Sequence, residues 1–224
     1  MVSATYFYIT ICIDLGRTIR ENILLRKGCI DCDSTTIQKG DLQIMEAIEC
    51  IKTRRSVRKF TDEIISKELI TEIIDIAKMA PSWKNTQTVR YMAIQDKSII
   101  DKLASDCVLN FEYNQKTLSR CNNVMLILQK NNICGFERDG SYSTSKEDKW
   151  EMFDAGIATQ TFCLAAHEKG IGTVILGIFD EEAIKNVVGI PEGMSVAAVV
   201  PFGVPAFAPD PTPRKETEVL LTFK

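Results

Sequence analysis

The stretch from Glu151 to Lys169 constrains this chain most, because it contains no proline, stops at Gly170 and carries apolar residues around its whole circumference. It is too long for a strand and reads as a helix. A helix that is apolar on every side has to be covered on several sides, so a single layer of structure cannot accommodate it. The expectation is a central helix packed on several sides, with Gly170 supplying its C-terminal stop.

The segments around it supply those layers. Ile44, Ala47, Ile48 and Ile51 recur at helical spacing and predict a helix from near Met45 to the arginines at 54 and 55. Ser66 is a fitting N-cap for a second helix, whose apolar stripe is Leu69, Ile70, Ile73, Ile74 and Ala77 and whose stop is Pro81. Val89 to Gln95, Val124 to Gln129, Gly172 to Ile178 and Ser195 to Phe202 read as strands. Ser98 to Ser105 reads as a short helix, and Asp180 caps another through Val188. Residues Gly203 to Pro213, rich in proline and glycine, leave the core as an extended arm. The order is mixed α and β around one sheet, with no internal repeat.

With 224 residues and 45% hydrophobic content, one main domain is expected. A net charge of −3 and a pI near 5.4 argue against a broad nucleic-acid surface and leave room for a local basic pocket. The eight cysteines are spread along the whole chain, several in apolar stretches, which is the distribution of reduced, buried thiols. Cys29 and Cys32 form the only C-x-x-C, and a metal there would need further ligands at matching spacings. Tyr6 to Ile13 is apolar but too short and wrongly flanked for a secretion signal. No stretch is long and apolar enough to span a bilayer, so a cytoplasmic protein is expected. Residues 1 to 44 have poor apolar periodicity and read as a loosely ordered leader. Lys39-Gly40-Asp41 can be encoded by a purine-rich stretch like a bacterial ribosome-binding site, which places the expected natural start at Met45.

Chemistry concentrates at Arg54-Arg55-Ser56-Val57-Arg58-Lys59-Phe60. In extended backbone Arg54, Ser56 and Arg58 share one side, and guanidinium forks flanking a hydroxyl can hold a phosphate from several directions. Taken alone, such a run is more often a solvated face. Other chemistries have little to build on. His167 is the only histidine and lies within the long helix, where a surface or core role is expected, and no Walker phosphate loop is present. Gly170-x-Gly172 lacks the further glycine and the preceding strand of a dinucleotide fingerprint. Asp154, Glu181 and Glu182 read as helix-end or solvent charges.

Four separated pieces, Arg54 to Phe60, Pro81-Ser82-Trp83-Lys84-Asn85-Thr86-Gln87, Gly170 to Asp180 and Arg214-Lys215, together resemble the flavin-dependent nitroreductase family from about Met45 to Lys215. The resemblance implies an α+β fold, a three-layer sandwich whose central mixed, mainly antiparallel sheet is flanked by helices, in a domain-swapped homodimer. It implies FMN as cofactor, with Arg54, Arg55 and Ser56 on the phosphate and ribityl chain and Arg58 at the pyrimidine edge. Pro81, Ser82, Trp83, Asn85 and Gln87 would reach the flavin of the partner subunit. Thr88 and Val89 stand where the family has proline and tryptophan, which leaves the shape of that loop open. Leu176 and Gly177 would pass the reactive edge of the ring, donating a backbone N–H to its N5. Arg214 and Lys215 would return to the phosphate at the end of the arm, and Asn114 would contact the pyrimidine ring. Phe111 and Tyr113 are candidates for the substrate face.

The implied reaction is ping-pong hydride transfer from NADH or NADPH through FMN to a nitroaromatic, quinone or similar electron-poor acceptor. No side chain is required as catalyst and no metal is expected. Alternatives within the same resemblance are a flavin-binding sensory or storage protein, or a flavin-dependent dehydrogenase or dehalogenase.

Overall fold

The computed structural model describes residues 45–224. The leader, the start at Met45 and the Cys29/Cys32 pair concern residues that lie wholly or partly outside that range. Four strands form one antiparallel sheet in the order β1 (Val89–Ile94), β2 (Val124–Lys130), β4 (Met194–Gly203), β3 (Gly172–Thr173). A parallel bridge from Ser56 to Thr173 adds to the β3 edge and makes the sheet mixed.

Strand β2 is central and buried on both faces, as its unbroken apolar run requires. Val124, Leu126 and Leu128 point into a core shared with Ile100 and Leu103 of α3 (Lys97–Asp106), Leu118 of α4 (Glu112–Ser119) and Ile184 of α6 (Glu181–Val188). Met125 and Ile127 point into a second core with Ile70 and Ile73 of α2 (Lys67–Ala77) and Phe162 and Ala166 of α5 (Lys149–Glu168). Alternation along one strand thus builds the two helical layers, and the architecture is the three-layer α+β sandwich expected.

The expected helix boundaries rest on visible caps. The Ser66 hydroxyl accepts the Leu69 N–H at 3.1 Å, and Asp180 accepts the Ala183 N–H at 3.0 Å. Gly170 takes φ +75° after α5. The expected first helix is present as α1 (Ala47–Thr53), in which the buried residue is Cys50 while Ile48 and Ile51 are 68% and 61% exposed. One expectation needs correction. The predicted strand over 172–178 pairs regularly only at Gly172–Thr173 and again at Leu176, which bridges Val199. Helix α4 had no predictive signal because its buried residues include Asn114 and Thr117 and give no apolar stripe.

Past Gly203 the chain is first pinned, with Thr61 N–H donating to Val204 O and Ala206 N–H to Lys59 O. From Phe207 the arm runs largely exposed and extended to α7 (Thr217–Leu220), which buries nothing. Among the described residues no helix is long and apolar enough to cross a membrane.

Candidate functional site

The basic segment is held by two buried side chains and presents the residues between and beside them. Val57 donates its N–H to Thr173 O at 2.9 Å and is buried, as is Phe60, while Arg58 and Lys59 are exposed. Gly172 makes this possible, since a Cβ there would sit 2.7 Å from Val57 Cγ2, closer than real contacts allow. Arg54 caps α1 through its backbone N–H to Cys50 O. Arg55 folds back, its Nη1 donating to Lys52 O at 2.6 Å and Arg54 O at 2.9 Å, and so satisfies carbonyls at the helix end. Among the described residues the Arg54 guanidinium and the Ser56 hydroxyl have no hydrogen-bond partner, and Arg58 reaches only Ser56 O at 3.4 Å.

Beyond the Ser56–Thr173 bridge the β3 edge continues into Ile175, Gly177 and Ile178, all exposed. Leu176 is buried, and its N–H donates to Val199 O at 2.8 Å. Of the pair Leu176-Gly177, only Gly177 keeps an N–H without an internal partner among the described residues, and the space where its Cβ would lie is open. Asn114 is buried and donates to Ile178 O at 3.0 Å, so within this chain its amide tethers that strip to α4.

The segment from Pro81 to Gln87 is a separate construction. Lys84, Asn85 and Gln87 take φ of 45°, 55° and 49°, left-handed conformations that cost non-glycine residues on the order of 1–3 kcal/mol each. The loop is braced by Ser82 Oγ accepting the Gln87 N–H at 3.0 Å, by the Lys84–Glu137 ion pair, and by Trp83 stacking on Trp150 with centroids 4.8 Å apart. Asp154 completes the brace. Read from sequence as a helix-end or solvent charge, it is instead 3% exposed, with Oδ2 accepting the Trp83 N–H at 2.7 Å and the Cys134 thiol at 3.1 Å. An acidic residue on the second turn of a helix gives no sign in sequence that a loop over sixty residues away needs its oxygen. Thr88 is buried, its hydroxyl accepting from Gln129 Nε2 at 2.7 Å, so this departure from the resembled pattern serves the interior. A cavity of about 380 Å³ lies between this loop, β1, α2 and α5.

The remaining predicted residues stand apart from these. Arg214 closes on its own turn, with Nη1 donating to Thr212 Oγ1 at 2.6 Å, and Lys215 is exposed on the arm. Within one chain, therefore, the fold joins Arg54–Arg58 to the Ile175–Gly177 strip. It holds the Ser82–Gln87 loop and the arm as separate, outward-facing pieces.

His167 is the functional candidate that sequence reasoning passed over. Its Nε2 lies 2.9 Å from the hydroxyl of Thr53, the last residue of α1 and the neighbour of Arg54. Burial, together with the Arg54 and Arg55 charges, holds its imidazole below the ordinary value.

The profile of the Nitroreductase family matches residues 51–204. The chain belongs to the nitroreductase family. A relative from Archaeoglobus fulgidus, named as an NADH dehydrogenase/NAD(P)H nitroreductase, is 31% identical over 164 residues, covering 71% of this chain and 86% of its own. An NADPH-flavin oxidoreductase of Vibrio harveyi is 27% identical over 182 residues, 78% of this chain and 72% of that one. Among solved structures, a nitroreductase family protein of Clostridium novyi NT superposes with a TM-score of 0.62 at 29% identity, covering 72% of this chain and 86% of that chain. A protein of Exiguobacterium sibiricum solved in complex with FMN gives 0.66 at 20% identity over 80% and 98% of the two chains, a likeness of fold. The span of this chain that matches the family takes in both the basic segment and the Gly177 strip, and ends where the arm begins.

Proposed function

We propose that this chain is an FMN-dependent oxidoreductase that takes hydride from NADH or NADPH and reduces nitroaromatic, quinone or similar electron-poor acceptors. In this reading residues 45–224 form the FMN-binding unit, its arm starts near residue 203, and it works in the cytoplasm as a homodimer. The observation that carries the reading is the Ser56–Thr173 bridge, which sets phosphate-type donors and a backbone N–H, unpartnered among the described residues, along one sheet edge. The donor set suits FMN: cations and a hydroxyl for its phosphate, a guanidinium for its electron-rich edge and an N–H for its ring nitrogen.

When bound, FMN would supply the hydride chemistry, accepting from the nicotinamide and delivering to the acceptor. Arg54 and Ser56 are assigned to the phosphate. Arg55, tied to α1, stiffens the turn that presents them. Arg58 is assigned to the pyrimidine edge, where a fixed positive charge favours the reduced state. Gly177, rather than Leu176, is assigned the N–H facing N5, because the Leu176 N–H is engaged with Val199. Pro81, Ser82, Trp83, Asn85 and Gln87 are assigned to the partner's FMN, and Arg214 and Lys215 to the phosphate. The strained, externally braced loop and the largely exposed arm support such a shared site. The exposed apolar side chains of α1 and α5, Ile48, Ile51, Met152 and Phe153, support the dimer. The names of the Vibrio harveyi relative and of an FMN reductase [NAD(P)H] of Bacillus subtilis support the cofactor and donor.

The test is the visible spectrum of purified protein supplied with FMN, before and after anaerobic addition of each nicotinamide. A bound flavin that bleaches with NADH or NADPH and recovers with a quinone or nitroaromatic is expected. The double variant R54A/R58A is expected to remain folded and lose the flavin, and a fully yellow double variant overturns the phosphate assignment.

A further inference from the structure

The Thr53–His167 contact ties the helix end that presents Arg54 to the last turn of α5, and its proton can be assigned. The Thr53 hydroxyl has one hydrogen, and its short bond of 2.7 Å to Glu49 O uses it. The 2.9 Å contact is then donated by His167, so Nε2 carries a hydrogen in the neutral ring as it does in the cation. That ring lines a cavity of about 530 Å³ with Thr53, Arg55 and Gly172, and the arm closes its far side with Pro205, Phe207 and Pro211.

Among the described residues the charges around the ring are few. From α1 and its cap come Arg54 and Arg55, both opposing a positive imidazole. On its own helix Cys163 lies one turn earlier. Glu168 follows it and pairs with Lys169 at 3.4 Å, and Lys169 also reaches Glu72 of α2 at 3.9 Å. The arm contributes no titratable side chain to this cavity.

We propose that His167 is a positioning residue whose protonation is coupled to phosphate binding at Arg54: an anion there offsets the positive charge beside the Thr53–His167 contact, and the ring takes up a proton. This deepens the FMN reading and rests on its phosphate assignment. Binding and proton uptake are reciprocal, so this coupling makes FMN bind more tightly as pH falls toward the imidazole range. The phosphate's own second ionisation, near pH ~6, works in the opposite sense, because the dianion is the better ligand. The His167 contribution is therefore read as a difference between two proteins.

His167→Gln is the matching variant, since the Gln amide can still donate to Thr53 but cannot titrate. The experiment is calorimetric titration of the full-length protein with FMN at about pH 6, in buffers of different ionisation enthalpy, which counts protons exchanged per flavin. Wild type is expected to take up several tenths of a proton more than H167Q, and the difference is expected to vanish with riboflavin, which lacks the phosphate. Equal proton counts in the two proteins overturn the coupling, as does an equal difference with riboflavin. R54A separates the failures. If it loses FMN while H167Q matches wild type, only the coupling fails. If it keeps wild-type FMN affinity, the phosphate assignment fails and the coupling with it.

Discussion

Asp154 Oδ2 accepts the backbone N–H of Trp83 at 2.7 Å, so a helix buried against the sheet sets the position of a loop that reaches outward. The same oxygen takes the Cys134 thiol at 3.1 Å. Replacing Asp154 with alanine strands a partly buried N–H, which costs about 1–3 kcal/mol. Asparagine keeps an acceptor in place and is expected to cost less. Urea unfolding followed by tryptophan fluorescence checks both, because Trp83 and Trp150 stack at this spot. D154A as stable as wild type would remove the brace from the account.

Gly172 and Val57 form a second testable pair. The Cβ of G172A would lie 2.7 Å from Val57 Cγ2 and 3.0 Å from Pro205 Cγ, so the basic segment must shift or strain. A loss of about 1–3 kcal/mol is expected, as for other overpacked sites. Truncating Val57 to alanine in the same protein is expected to recover part of it, giving a nonzero coupling in a double-mutant cycle. Strict additivity would show that the two do not press on each other.

Alkali is expected to weaken the fold through its thiols. Burial first, then nearby acidic groups, pushes Cys107 up to about 11 and Cys134 to about 12, while burial pushes Cys121 to about 11, all from an ordinary 9.0. A raised pKa means that the folded state prefers the proton. The stability involved is complete below the unfolded value and is lost as pH rises from 9 through 11–12. Urea midpoints at stepped pH should hold level to about pH 8 and then fall. Alkylation of these thiols should track unfolding; rapid labelling of the native protein would contradict it.

Helix α5 carries an exposed face with Met152, Phe153, Gly156 and Gln160 at helical spacing, Phe153 being 58% exposed. Glutamate at Phe153 places a charge where the proposed dimer needs apolar contact. Sedimentation should show the variant shifted toward monomer with its far-ultraviolet dichroism unchanged. A dimer as tight as wild type would put the interface elsewhere.

The fold was largely legible because alternation and helical spacing are local properties. Strand β2 announced itself by an unbroken apolar run, and Ser66 and Asp180 marked helix starts with side chains that cap in the structure as read. Helix α4 was not legible, since Asn114 and Thr117 are buried by polar contacts, Asn114 through Ile178 O and Thr117 through Tyr113 O, rather than by apolar spacing. The Ile48 and Ile51 stripe was read correctly as a helix, but both side chains are exposed, which helical spacing by itself does not decide.

Residue order alone determined the helices and strands and their mixed α and β order around one sheet, because periodicity and caps are set by short-range physics. The three-layer sandwich and the basic, hydroxyl and glycine candidates for the chemistry came from the resemblance of separated motifs to the nitroreductase family. Tertiary structure decided which candidates meet: it spent the Leu176 N–H on Val199 and left Gly177's without a partner among the described residues, buried Asp154 under Trp83, and set His167 against Thr53. Each of these depends on hydrogen bonds between residues 23 to 114 positions apart, and such bonds have no local signature because they exist only once the layers have packed.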